Sequence, residues 1–213
     1  MNKSIDVDAG SQSDGQSTLN GSISVGNAAV VSGGLETVNG TIRIDENARI
    51  QNASTVNGSV RLAAGASARD VSSVNGSVSI GDIAVVDGEV SVVNGRINLQ
   101  PGSSVGQDVS NVNGSIHIGG GEIGGDLTTV NGDVTLSDNA LVQGDLVVRK
   151  PRTGDFDAGR RKPTVVIGPG ARVAGTIRLE QEVELYISDS AQFGGVSGVM
   201  TLDDAVRFSG RRP

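Results

Sequence analysis

Apolar and polar positions repeat along the chain with a period of eighteen or nineteen residues. Asn-Gly marks each period, and a short segment of strict alternation follows it, as in "SISV", "TIRI", "SVRL" and "DVTL". Such alternation is typical of a half-buried β-strand. The asparagines that mark the repeat are Asn20, Asn39, Asn57, Asn75, Asn94, Asn113 and Asn131.

The constant period favours stacked coils over hairpins. Asn-Gly between alternating segments is typical of a hairpin, but a meander would run successive repeats in opposite directions and place identical residues in unlike surroundings. In a solenoid each coil runs parallel to the last, so every residue stacks on its equivalent. The sequence therefore predicts an all-β, single-stranded parallel β-helix. It would have about ten coils, three short faces per coil and an asparagine ladder at one corner.

The same pattern predicts the core. We expect the apolar pair after each Asn-Gly to point inward, and the valine before it to point inward beside the ladder. Glycine would be needed at this corner because it adopts a positive φ without steric cost. The pairs are Ile42/Ile44, Val60/Leu62, Val78/Ile80, Ile97/Leu99, Ile116/Ile118 and Val134/Leu136, and the valines are Val38, Val56, Val74, Val93, Val112 and Val130.

The repeat stops after residue 147 and divides one continuous domain into four segments. Residues 1–147 are the Asn-Gly coils, and residues 148–164 form a basic surface insertion without apolar periodicity. Residues 165–196 are the final coils, and residues 197–213 are a cap and tail. Aromatic residues make up only 2% of the chain. We expect Tyr186, Phe193 and Phe208 to cover the open C-terminal end, and the polar first coil to protect the other end.

Basic residues concentrate in the insertion, although the chain carries a net charge of −7. A basic patch on an acidic body predicts a site for an anionic lipid headgroup, an anionic glycan or an acidic protein. The alternative is a solvated loop whose charges only keep it soluble. An acidic body is not expected to bind nucleic acid. The candidate ligand-binding residues are Arg149, Lys150, Arg152, Phe156, Arg160, Arg161 and Lys162.

Residues suited to catalysis are sparse. The chain has no cysteine, and its one histidine, His117, falls at an outward position of "SIHI". The segment "IGPGARVAGTIR" resembles two hexapeptide units of the left-handed β-helix acyltransferases, which use a histidine as general base, but the resemblance is confined to this segment. No residue close to His117 in sequence could orient it. We therefore expect no enzyme, no metal site and no cofactor. No apolar run is long enough to span a membrane.

The alternation of "VNGSV" with "GA-V-G-V" units resembles bactofilins, the polymer-forming bacterial cytoskeletal proteins. The chain is still more similar to a group of uncharacterised exported β-solenoid proteins of Gram-negative bacteria. This similarity covers most of the chain, including "VVRKP…RRKP", "VVIGPGA" and "VELYISDSA". It implies a right-handed helix and a periplasmic or cell-envelope location, although the opening residues show no signal peptide, with the cytoplasm as the alternative. It implies no known activity. We expect a non-enzymatic structural or adhesin-like protein, with a bactofilin-like self-assembling scaffold as the second hypothesis and a left-handed β-helix acyltransferase-like enzyme as a distant third.

Overall fold

The chain winds into stacked coils in a computed structural model that describes residues 3–151, 161–211 and 213. Each regular coil contributes one segment to each of three parallel sheets. Strands pair with their equivalents in neighbouring coils, so that Ile42 lies opposite Ile23 and Asn94 opposite Asn75. Within the described residues the only helix is a single 3-10 turn at Leu202–Asp204. The predicted all-β parallel solenoid of about ten coils is confirmed.

The first sheet contains the alternating segments that follow Asn-Gly. Each typical strand points two aliphatic side chains inward and one side chain outward. All six predicted inward pairs are buried. Its eleven strands are Ile5–Val7, Ile23–Val25, Ile42–Ile44, Val60–Leu62, Val78–Ile80, Ile97–Leu99, Ile116–Gly119, Val134–Ser137, Thr164–Ile167, Glu184–Ser188 and Val206–Phe208.

The second sheet consists of two-residue strands. Isolated bridges through Arg49 join its first two strands to the other seven. Every strand but the first and the last buries one small or branched side chain, and an alanine just before the strand is often buried as well. The strands are Gln12–Ser13, Val30–Val31, Ser67–Ala68, Val85–Val86, Ser104–Val105, Glu122–Ile123, Leu141–Val142, Arg172–Val173 and Gln192–Phe193.

A left-handed residue turns the chain from the first sheet to the second. Glycine occupies this position in several coils, since it pays no steric cost for a positive φ. Asparagine, which tolerates this conformation, occupies it at Asn47 and Asn139. Ile83 occupies it with φ 51° and is 65% exposed. A β-branched residue is strained in this conformation.

The third sheet leads into the Asn-Gly corner. Its ten strands are Gln16–Asn20, Leu35–Asn39, Asn52–Asn57, Asp70–Asn75, Val90–Asn94, Val109–Asn113, Leu127–Thr129, Leu146–Val148, Ile177–Leu179 and Val196–Gly198. Its first inward position is filled by residues such as Leu35, Val71 and Val109. At the second inward position, the buried residue is not the valine that the sequence predicted.

The valine before Asn-Gly points outward, so the prediction that it fills the core is wrong. Val56 and Val74 are each 40% exposed. The residue just before each of these valines is buried instead and is usually a threonine or serine. The Thr55 hydroxyl donates to the Gly40 carbonyl at 3.1 Å, and the Ser73 hydroxyl donates to the Gly58 carbonyl at 3.0 Å. A valine inside would bury more apolar surface, but it could not make this bond between coils.

Close backbone approach, rather than a positive φ, explains most of the corner glycines. A Cβ added to Gly58 would collide with the Gly40 carbonyl, and one added to Gly76 would collide with the Gly58 carbonyl. Among the corner glycines, Gly114 is the one with a positive φ, at 122°. The predicted reason for glycine is therefore wrong at the other corners. Successive coils meet here so closely that no side chain fits.

The two ends of the rod differ. The first coil places Ser13 and Gln16 over the core, and the Gln16 amide donates to the Ser13 hydroxyl at 2.9 Å. At the C-terminal end, Phe193 packs against the core as predicted. Tyr186 instead lies half-buried at an outward position of the first sheet, opposite Val206. Phe208 is half-buried in the last strand of that sheet.

Candidate functional site

Six hydrogen bonds join the seven repeat asparagines into a continuous ladder. In each step the side-chain Nδ2 donates to the Oδ1 of the asparagine one coil earlier. The Asn57 bond to Asn39 measures 2.9 Å and the Asn75 bond to Asn57 measures 3.0 Å. The predicted ladder is confirmed. Its amides therefore have a structural role along the outer edge of the third sheet.

A column of acidic residues, which was not predicted from the sequence, joins coils at the corner between the second and third sheets. The Asp108 carboxylate accepts the backbone N–H of Asp126 at 2.8 Å, and Asp126 accepts that of Asp145 at 2.8 Å. Asp145 accepts the N–H of Thr176 at 2.8 Å and pairs with Arg178 at 2.8 Å. The signal was an acidic residue just before the inward residue of the third sheet, as in "GGDL" and "QGDL".

The basic insertion separates the strand that ends at Val148 from the strand that begins at Thr164, and Asp133 anchors the start of the second strand. One Asp133 oxygen accepts the Thr164 N–H at 2.8 Å, and the other accepts Arg161 Nη1 at 3.0 Å. The hydrogen bond to Asp133 raises the pKa of Arg161. Asp133 follows the last Asn-Gly, where other coils carry serine, threonine or arginine. Its carboxylate therefore holds the returning strand in register.

The segment 180–184, "EQEVE", anchors both stems of the insertion. Lys162 Nζ lies 2.6 Å from Glu182 Oε2, and this hydrogen bond raises the pKa of Lys162. On the other stem, the Glu180 carboxylate accepts the Lys150 N–H at 3.3 Å, and the Gln181 amide donates to the Arg149 carbonyl at 2.9 Å.

The structure therefore divides the predicted ligand-binding residues into three groups. Arg161 and Lys162 form ion pairs with carboxylates of neighbouring coils. Arg149 and Lys150 lie on the opposite stem with exposed side chains. Arg152, Phe156 and Arg160 lie outside the described residues. Acidic groups thus offset part of the positive charge at the base of the insertion, which the linear sequence does not show.

His117 lies at a half-buried outward position of the first sheet, where its strand neighbours are Asn98 and Thr135. Neither neighbour is a carboxylate that could orient the imidazole and raise its basicity. Within the described residues, no group of three or more histidine, cysteine, aspartate or glutamate side chains is arranged to hold a metal ion.

Comparison of the chain with protein-family models, with curated proteins and with solved structures found no match. Among the described residues, no helix is long and apolar enough to cross a membrane.

Proposed function

We propose that the protein is a non-enzymatic structural β-solenoid of the bacterial envelope that contacts an anionic partner through its basic insertion. The polar side chains at two corners of the rod form bonds between coils, which supports a mechanical role for the body. The exposure of Arg149 and Lys150 carries the binding part of the proposal, because the other described basic residues of the insertion are already paired.

Vesicle co-sedimentation tests the contact. We expect salt-sensitive binding to phosphatidylglycerol vesicles and none to phosphatidylcholine vesicles, because exposed charges are screened by salt. R149Q/K150Q should weaken binding about tenfold or more, since each basic residue near an anionic surface contributes about 1 kcal/mol. The matched control is R43Q/R61Q, which removes two exposed arginines that lie opposite each other on adjacent strands of the first sheet. It should bind like the wild type.

Equal losses in the two double variants would contradict a contact at the insertion. Unchanged binding by R149Q/K150Q would exclude the stem residues as its source. A parallel assay with a soluble polyanionic glycan distinguishes an anionic lipid headgroup from an anionic glycan as the ligand. Retention of the wild type on the glycan, without vesicle binding, would identify a glycan as the anionic partner.

The C-terminal end favours a second candidate function, a self-assembling scaffold. Val199, Leu202 and Val206 are 60%, 44% and 54% exposed there, whereas the first coil is polar. Exposed apolar groups beside terminal strands favour strand addition by another copy. Negative-stain images should then show end-to-end particles that Val206→Lys abolishes. Isolated single rods at high protein concentration would contradict this function.

A further inference from the structure

The outer surface of the third sheet forms a regular face along seven consecutive coils. We call it the valine face, and it consists of three parallel columns. The central column is Leu19, Val38, Val56, Val74, Val93, Val112 and Val130. One flanking column is Ser17, Glu36, Ser54, Ser72, Ser91, Ser110 and Thr128, and the other is the asparagine ladder.

The valine face combines exposed apolar surface with very little charge. Leu19 is 55% exposed, and Val93 and Val112 are 37% and 38% exposed. Glu36 is the one charged residue in the three columns, although 19% of the chain is charged. Continuous apolar surface bordered by polar residues is typical of a protein interaction site. The scarcity of charge matters because a net charge of −7 would otherwise oppose the approach of another copy.

The polar groups of the face are already bonded to one another, which lowers the cost of covering them. The asparagine amides form the ladder, and the Ser72 hydroxyl donates to Ser54 Oγ at 3.1 Å. Ser110 similarly donates to Ser91 Oγ at 3.3 Å. Burial of a polar group is costly mainly when it is left without a partner. A partner can therefore cover the face without leaving most of these groups short of a hydrogen-bond partner.

The spacing of the side chains along the valine face indicates which partner can bind it. Its side chains recur at the strand spacing of about 4.8 Å, so a rigid partner must share that spacing to make the same contact at every coil. A second copy of the chain has the same spacing. A two-fold axis that relates the two copies keeps their side chains aligned along the full length of the face. Two such faces would pack as paired sheets, with the valines of one lying between the valines of the other.

We propose that two copies of the chain pair through their valine faces about a two-fold axis. Seven coils give a face about 34 Å long, and three outward columns give a width of about 15 Å. The dimer would then bury about 1,000 Å² in total, the lower limit for a specific interface. The association is accordingly weak and depends on concentration.

The described stems of the insertion lie outside the pairing surface in such a dimer. In the next two coils the serine column continues as Val147, which is buried, and Arg178, which pairs with Asp145. The pairing surface therefore ends before the stems of the insertion. Arg149 follows Val148 in the coil just beyond Val130, so the stem residues adjoin the valine face but lie outside it. Loss of ligand binding in R149Q/K150Q would therefore not imply loss of dimerisation.

Sedimentation velocity over a concentration series tests the proposal. The wild type should move from one chain to two as its concentration rises, and V74K/V93K should remain a single chain. The matched control is V30K/V85K, because Val30 and Val85 lie on the second sheet and are 40% and 37% exposed, like Val74 and Val93. It should dimerise like the wild type. A wild type that stays a single chain, or equal effects of V30K/V85K and V74K/V93K, would overturn the proposal.

Crosslinking provides a test that does not depend on disrupting the face. Val74 is the fourth of the seven central residues, so a two-fold axis through the middle of the face brings it next to Val74 of the second copy. The chain has no cysteine, so Val74→Cys introduces a single thiol. A short thiol-reactive crosslinker should yield covalent dimers with Val74→Cys and few with Val85→Cys. Equal yields from the two variants would contradict pairing through this face.

Discussion

At the scale of single residues, the corner motif assigns one task to each position. The buried threonine or serine bonds to the previous coil, the valine faces outward, the asparagine extends the ladder and the glycine permits contact between coils. Val92 and Asn111 replace the hydroxyl residue in two coils. The Asn111 Nδ2 donates to the Gly95 carbonyl at 3.0 Å, whereas its Oδ1 and the neighbouring Thr129 Oγ1 are buried without a partner in the described structure. The buried position of the motif therefore tolerates different side chains, whereas asparagine and glycine are present in all seven corners.

Gly76→Ala tests the requirement for close contact. A Cβ at this position would collide with the Gly58 carbonyl, which is backbone and cannot rotate away. We expect the substitution to lower the free energy of unfolding by about 2 kcal/mol, the usual cost of overpacking. Denaturant unfolding followed by circular dichroism measures the change. Gly34→Ala is the control, because the nearest atom to its added Cβ lies 3.8 Å away. A similar loss in both variants would contradict the explanation.

At the scale of elements, the sequence predicted the sheets more reliably than the corners. Its period placed pairs such as Val60 and Leu62 inside correctly, because every coil repeats the same environment. The period did not show whether threonine or valine is buried at the corner, because either residue fits an alternating strand. Hydrophobicity alone favoured valine inside, whereas the bond from Thr55 to the Gly40 carbonyl favours threonine.

The anchors of the insertion could not be predicted either. Arg161 pairs with Asp133, which lies 28 residues earlier in the chain. The sequence showed the basic cluster, but only the stacking of coils brings the acidic residues of segment 180–184 beside it. Local patterns thus identified where a surface feature would occur, but not how much of its charge is already paired.

The turn between the first and second sheets offers a stabilising substitution. Ile83 adopts φ 51°, and Asn47 and Asn139 adopt the same conformation in other coils. Ile83→Asn should raise the free energy of unfolding by about 1 kcal/mol, because left-handed backbone costs ordinary residues about that much. Thermal unfolding should show a higher midpoint. Val85→Asn, at an exposed strand position, should not raise it. A lower midpoint for Ile83→Asn would show that Ile83 stabilises the turn through contacts rather than straining it.

At the scale of the whole molecule, structurally equivalent coils stack along one axis on both sides of the insertion. Thr135 and Val166 are 31 residues apart in sequence but occupy neighbouring strands of the first sheet. The body on either side of the insertion therefore acts as one continuous rod. That continuity underlies both the proposed structural role and the separation of the valine face from the insertion.

Pulsed electron paramagnetic resonance between pairs of spin labels tests this claim most directly. The chain has no cysteine, so labels attach only at introduced cysteines in the outward column of the first sheet. S24C/T135C spans six coils and should give about 29 Å, and S24C/V166C should give about 34 Å. The increase of one coil spacing is the predicted result. Equal distances, or an increase of several coil spacings, would contradict a single stack that continues past the insertion.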